Sequence, residues 1–264
     1  MSNASRFQIF SYYVLSVLVL TIFTFRSTST YLGYPKYYII LLIALPYFIA
    51  GITRTLLEAK MLQRVPPLRR ARRQLQFDMS LFALLAAVLL CLELLVYRHP
   101  PYTALKSSVW ALIIGYFASI DSALHRVRCN SRQDRADDEP LSDKALPVSQ
   151  KLSIFLSTTV LLITLATAIS AYGYLLPEQL FSDAATIEIK QEFIFETVFI
   201  LGIVTILTTR VIVSYSMNLQ NMFENQINTL RNIQDGDLEQ HVPVLTEDEF
   251  GRIAQQTNLI INQL

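Results

Sequence analysis

The sequence predicts an all-α membrane protein with six transmembrane helices and a polar helical tail. Three observations carry that expectation. Of 264 residues, 52% are hydrophobic and only 16% charged, against roughly 25% charged in a soluble domain. The apolar residues fall in long blocks, and mean hydropathy is +0.38. After residue 214 the composition changes abruptly to polar, rich in Asn and Gln. A disordered chain, a collagen-like repeat and a small disulfide scaffold are excluded by the same composition. With 22 Lys+Arg against 21 Asp+Glu the net charge is +1, and no sign of nucleic-acid binding follows. Cys91 lies in an apolar block and Cys129 in a basic loop, so two free thiols are expected.

Crossing about 30 Å of hydrocarbon takes about 20 apolar residues in a helix. Six blocks meet or approach this length: 7–25, 37–53, 77–97, 109–124, 152–176 and 193–214. The fourth is the weakest, because Asp121 cuts its core short; it is expected to reach back to Tyr102 and to take in Lys106 near one end. Unpunctuated aliphatic runs favour helices over barrel strands. The first block is longer than a signal-peptide core, and no A-x-A site follows it, so it is read as a retained helix.

Lys and Arg set the orientation. The second-to-third connection holds Arg54, Lys60, Arg64, Arg69, Arg70, Arg72 and Arg73, and the fourth-to-fifth holds Arg126, Arg128, Arg132, Arg135, Lys144 and Lys151. The other three connections hold Arg26 and Lys36, then Arg98 and Lys106, then Lys190. The two basic loops are therefore expected in the cytoplasm with both termini, which six spans satisfy. Tyr31, Tyr34, Tyr37, Tyr38, Tyr97, Tyr102, Tyr172 and Tyr174 fall at the predicted outer ends, where an amphipathic ring prefers to sit. The outer loops are short. Any external signal is thus expected to act in the membrane or at its rim, and the basic loops to contact anionic lipid.

The tail carries the one specific motif. Leu219, Phe223, Ile227, Leu230 and Ile233 recur at steps of 4, 4, 3 and 3, an apolar helical stripe. Gly236 is placed to stop that helix, and Pro243 to keep the following connector extended. The connector's apolar residues are Leu238, Val242 and Val244. Thr246 and Glu249 have the spacing of a capping box. A second helix follows, with Phe250, Ile253, Thr257, Ile260 and Leu264 at steps of 3, 4, 3 and 4, a coiled-coil seam.

Gly236, Asp237 and Leu238, then Val242 and Val244, then Glu249, Phe250 and Gly251, then Asn258 resemble the HAMP domain of bacterial signalling receptors. The likeness covers about 50 residues directly after a span. A proline that often begins the first HAMP helix is missing; Ser216 to Leu219 stand there. The resemblance implies domains at 1–214 (membrane) and 215–264 (HAMP signal relay). It also implies a homodimer whose chains each give two helices to a parallel four-helix bundle, an arrangement that would bury both stripes. Six helices with short outer loops followed by HAMP are similar to the membrane anchors of bacterial class III adenylyl cyclases. That likeness is architectural. It implies a protein of the bacterial inner membrane driving a C-terminal cyclase that makes cAMP. Mg or Mn and ATP are implied only for that effector, and no cofactor for this chain. The alternative is the front end of a chemoreceptor, histidine kinase or diguanylate cyclase. A small transporter is disfavoured, since a HAMP tail has no use in transport and paired broken helices are missing. Leu264 falls in mid-stripe without a cap, so the chain is expected to stop inside a helix, short of its effector. No catalytic or metal residues are expected.

Ionisable residues within spans are candidate functional groups. Glu93 and Glu196 lie near predicted outer ends, and Arg98 and His99 follow Glu93 closely. Two readings stand: an outer polar cluster holding a lipophilic or ionic ligand, or interfacial snorkelling with helix–helix pairing. Asp121 is expected in a local ion pair with His125 and Arg126. His241 is expected in solvent. No His pair suggests haem, and no mid-span Lys a retinal Schiff base. Ser157, Ala166, Ser170 and Ala171 suit close packing of the fifth helix, and Pro46 should kink the second.

Overall fold

The computed structural model describes residues 3–27, 36–62, 65–96, 98–130, 146–175, 183–237 and 239–263. In chain order the helices are α1 (Asn3–Ser27), α2 (Lys36–Leu62), α3 (Pro67–Cys91), α4 (Pro101–Asn130), α5 (Val148–Leu175), α6 (Asp183–Gln234) and α7 (Glu249–Ile261). A π-helical turn, Leu92–Val96, continues α3. Among the described residues there is no strand. Five helices are long and apolar enough to cross a membrane; the apolar part described for α1 is the shorter Phe10–Phe25. Leu238, Leu264, Tyr31, Tyr34, Tyr97, Arg64, Arg132, Arg135 and Lys144 lie outside the described residues.

The helices start and stop for local reasons. Pro67 opens α3, where its missing N–H costs nothing. Pro46 lies inside α2 without ending it. The weakest block of the sequence forms the centre of the bundle: in α4 72% of the most apolar window is buried, against 11% in α5. Asp121 broke the hydropathy run for that reason. A helix surrounded by protein can carry polar groups that a lipid-facing helix cannot. Trp110, Ile113, Ile114 and Phe117 of α4 are fully buried. Trp110 meets Phe23 of α1 and Phe199 of α6 edge-on at 5.4 and 5.7 Å, and Tyr116 stacks on Phe155 of α5 at 6.1 Å. Of the small residues in α5, Ala166 and Ser170 are buried and Ser157 is exposed.

Close packing, rather than water exclusion, holds membrane helices together. The α3–α4 contact shows this at Gly115, where an added Cβ would run into the Phe82 side chain. A Gly115→Leu substitution is expected to pry α3 from α4 and to cost about 1–3 kcal/mol, the usual penalty of overpacking. Unfolding in mixed detergent–SDS micelles measures it.

α6 leaves the membrane domain without a break and forms the first arm of a polar hairpin. It ends in a Schellman motif. Gly236 takes φ +93°, its N–H donates to the Ile233 carbonyl at 2.9 Å, and the Asp237 N–H donates to that of Asn232 at 2.9 Å. Glycine is required there because a Cβ strains that conformation. The connector returns along α7. Asn258 clamps it, accepting from the Val242 N–H at 2.7 Å and donating to the Val242 carbonyl at 2.9 Å. Phe223 and Phe250 meet edge-on at 5.6 Å, and Gln226 donates to Thr257 at 2.8 Å.

Two local expectations are corrected here. Thr246 and Glu249 do not form a capping box. Asp248 is the N-cap residue of α7, the Thr246 hydroxyl donates to Asp248 at 2.6 Å, and Glu249 accepts from the Val148 N–H of α5 at 2.9 Å. A carboxylate that can reach another helix's free N–H has no need to fold back on its own. His241 is not simply solvated: its ring lies 2.9 Å from the Asn262 side-chain oxygen and 3.1 Å from the Glu239 carbonyl.

Candidate functional site

Charged groups inside the bundle gather at two levels. At the end away from the hairpin, the π-helical turn after α3 buries Glu93. The His99 N–H donates to the Glu93 carbonyl at 2.9 Å, which folds the chain back and sets the His99 ring 3.8 Å from the Glu93 carboxylate. Burial pushes the His99 imidazole below the ordinary histidine range. Between them, Arg98 adopts φ +54° and stays exposed. Glu196 of α6, fully buried, is brought instead to Lys106 of α4, whose ammonium lies 3.0 Å from both carboxylate oxygens. The Phe23 ring lies 6.0 Å from that ammonium. Gly173 lets α5 approach here: a Cβ at that position would be 3.1 Å from Tyr102 and 3.7 Å from Lys106. The structure thus pairs Glu93 with His99 and Glu196 with Lys106.

The larger constellation lies at the hairpin end. Arg54 of α2, 2% exposed, donates through Nε and Nη2 to the two oxygens of Asp78 on α3 at 2.7 and 3.0 Å. It also reaches Glu58 at 3.2 Å and the Ser122 hydroxyl of α4 at 3.2 Å. Gln74 donates to Asp78 at 2.9 Å, and Arg126 of α4 donates to both Glu58 and Gln74. Two cations and two anions thus neutralise one another, with the planar guanidinium of Arg54 as the hub.

Asp121 reaches beyond His125 and Arg126, its neighbours in sequence. It accepts from the Tyr12 hydroxyl of α1 at 2.8 Å and from Arg210 of α6 at 3.3 Å, and Arg210 lies 4.8 Å from the Tyr12 ring centre. Two more polar contacts fasten α6 to the end of α4: Arg128 to the Ser214 carbonyl at 2.7 Å, and Asn218 to the Leu124 carbonyl at 3.0 Å.

Of this network, sequence reasoning weighs Arg54 only as a topology signal, and Arg126 as a topology signal and a neighbour for Asp121. Glu58, Gln74, Asp78, Ser122 and Arg210 went unread. A signal was present: Arg54 with Glu58, and Gln74 with Asp78, each stand four apart at the edge of an apolar block, where a helix presents them on one face.

The residues of the tail signature form one unit. Gly236 and Asp237 make the helix stop, and Val242, Val244 and Ala254 pack with Leu68 of α3. Asn258 is the clamp, Gly251 is buried on the inner face of α7, Phe250 meets Phe223, and Glu249 reaches α5. Among the described residues no group of three or more His, Cys, Asp or Glu converges to hold a metal ion.

A family model matches more than half of the chain: MASE10, a family of membrane-associated sensory domains, over residues 33–195. The match runs from just before α2 into the beginning of α6. It contains Arg54, Glu58, Gln74, Asp78, Ser122 and Arg126, together with Glu93, Arg98 and His99. No curated protein and no solved structure matches the chain.

Proposed function

The chain belongs to the MASE10 family of membrane-associated sensory domains, and from that premise we propose that it is the sensing and relay portion of a bacterial signal-transduction protein. In this reading six helices sit in the inner membrane with both termini in the cytoplasm. The hairpin is a HAMP relay, two chains associate through it, and a C-terminal adenylyl cyclase domain receives the signal.

One observation carries the relay. α6 is a single helix of 52 residues, a rod of roughly 80 Å. Its membrane part holds Glu196 and Arg210, and its far part carries the hairpin stripe. A displacement at Lys106–Glu196 therefore reaches the hairpin through continuous helix. A signal, lipophilic or ionic, is taken at the level of Glu93, Arg98, His99 and Glu196, and it acts only if it binds one position of α6 better than another.

The stripes supply the argument for a second chain. Phe223, Ile227, Leu230, Ile253 and Ile260 are each at least half exposed, although they belong to the apolar stripes of the hairpin. A partner hairpin would cover them. Aspartate at both Ile227 and Ile253 would put unpartnered charge into that seam, at a cost of several kcal/mol. Disulfide cross-linking between chains through cysteine at Leu230 is expected to be strong in the parent and lost in the double variant; unchanged cross-linking refutes the seam.

The effector is tested separately. The full-length protein, expressed in a bacterium lacking its own cyclase, is expected to raise cAMP. Glu196→Gln is expected to change that output without changing the amount of protein in the membrane. No cAMP, with another signalling product made instead, would assign a different effector to the same relay.

A further inference from the structure

The acidic run Glu247, Asp248 and Glu249 has a use that its position at the head of α7 does not suggest. Each carboxylate goes to the beginning of a membrane helix. Glu247 lies 3.5 Å from Arg69 in the first turn of α3. Asp248, 7% exposed, lies 2.6 Å from Lys151 in the first turn of α5. Glu249 accepts from the Val148 N–H, the first residue of α5, at 2.9 Å. Neither α3 nor α5 has an acidic residue in its own first turn. Such a helix start carries free N–H groups and the positive end of the helix dipole, and a carboxylate is the group that satisfies both. The hairpin supplies it. An apolar contact backs the charges: Leu68 of α3 is buried with Val242, Val244 and Ala254, joining connector and α7 in one small core.

We infer that residues 247–249 form a clasp by which the starts of α3 and α5 hold the connector and α7, so that the hairpin receives a second mechanical input besides α6. The first arm of the hairpin moves with α6. The second arm is tied to the rest of the bundle. A shift of α6 against α3 and α5 then shears the hairpin internally, across Phe223–Phe250 and Gln226–Thr257, instead of carrying it along whole. The inference concerns contacts within one chain. It stands whether or not a second chain joins, and whatever effector follows.

The test uses the full chain in lipid nanodiscs, with Cys91 and Cys129 replaced by serine and cysteines placed at Leu68 and Val244. A short bifunctional thiol reagent is expected to join α3 to the connector within one chain. Lys151→Glu sets like charge against Asp248 and Glu249, and should slow this cross-link roughly two- to fivefold, the range set by one partly exposed pair. The exchange Lys151→Glu with Asp248→Lys should restore it. If Lys151→Glu fails to fold, the neutral variant Glu247→Gln, Asp248→Asn, Glu249→Gln takes its place and should slow the reaction as much, since it removes the charges of the clasp and changes no residue of the membrane helices. A rate indifferent to these changes, a loss that the charge exchange does not repair, or cross-linking between chains only would each overturn the clasp.

Discussion

Arg54→Ala is expected to cost the membrane domain about 3–5 kcal/mol, the penalty for removing one partner of a buried ion pair. The magnitude follows from what stays behind. Among the described residues, Asp78, 2% exposed, would keep only the Gln74 amide as a hydrogen-bond donor, at 2.9 Å. Glu58 would keep Arg126, and Ser122 would lose its donor. A carboxylate in that position cannot turn to water, because three helices enclose it. Arg54→Lys is expected to recover only part of the loss. One ammonium cannot make the paired contact to Asp78 and at the same time reach Glu58 on its own helix and Ser122 on α4. Arg54→Leu with Asp78→Leu removes both charges and leaves Glu58 with Arg126, so it should be more stable than Arg54→Ala. Unfolding in mixed detergent–SDS micelles orders the four proteins. A loss below about 1 kcal/mol for Arg54→Ala would mean that the network is solvated, since exposed pairs contribute no more than that.

That network also marks where the sequence was legible and where it was not. Helix positions were readable because apolar blocks are a one-dimensional property; hence α2, α5 and the membrane part of α6 lie where their blocks lie. The end of α6 was readable because Gly236 is a local device. The nearness of His99 to Glu93 follows from six residues of separation, but their contact at 3.8 Å is given by the structure alone. The same reasoning failed wherever a side chain chose between a near neighbour and a distant one. Asp121 has His125 one turn away in sequence, but α1 and α6 bring it Tyr12 and Arg210. Glu249 has Thr246 at capping distance, yet the start of α5 competes and wins. Arg54 looked like an orientation signal because hydropathy counts a cation at a block edge as solvent-facing, whereas three helix ends close over it. Only packing decides such choices, and packing order cannot be read from periodicity.

Inserting one residue after Ser216 is expected to have the largest effect on signalling of any change to the tail. A single residue turns everything beyond it by about 100°. Phe223, Ile227 and Leu230 would then face away from both α7 and any partner hairpin, and the Phe223–Phe250 and Gln226–Thr257 contacts would be lost. Membrane insertion should be unaffected, since the spans are untouched. Effector output in the full-length protein should change, and cross-linking between chains through cysteine at Leu230 should fall. A seven-residue insertion separates two causes that the single insertion leaves mixed. It returns the stripe to within about 20° of its face but moves the hairpin roughly 10 Å along the rod. Cross-linking at Leu230 should therefore recover. The Leu68–Val244 cross-link should not, because α3 and α5 stay in the membrane while the acidic run moves away from them. If phase alone governs the relay, output recovers with the seam. If the clasp governs it as well, output stays altered although the seam is whole. Equal output from the parent and the one-residue insertion would refute the rod itself, leaving α6 as an anchor that dimerises but does not transmit.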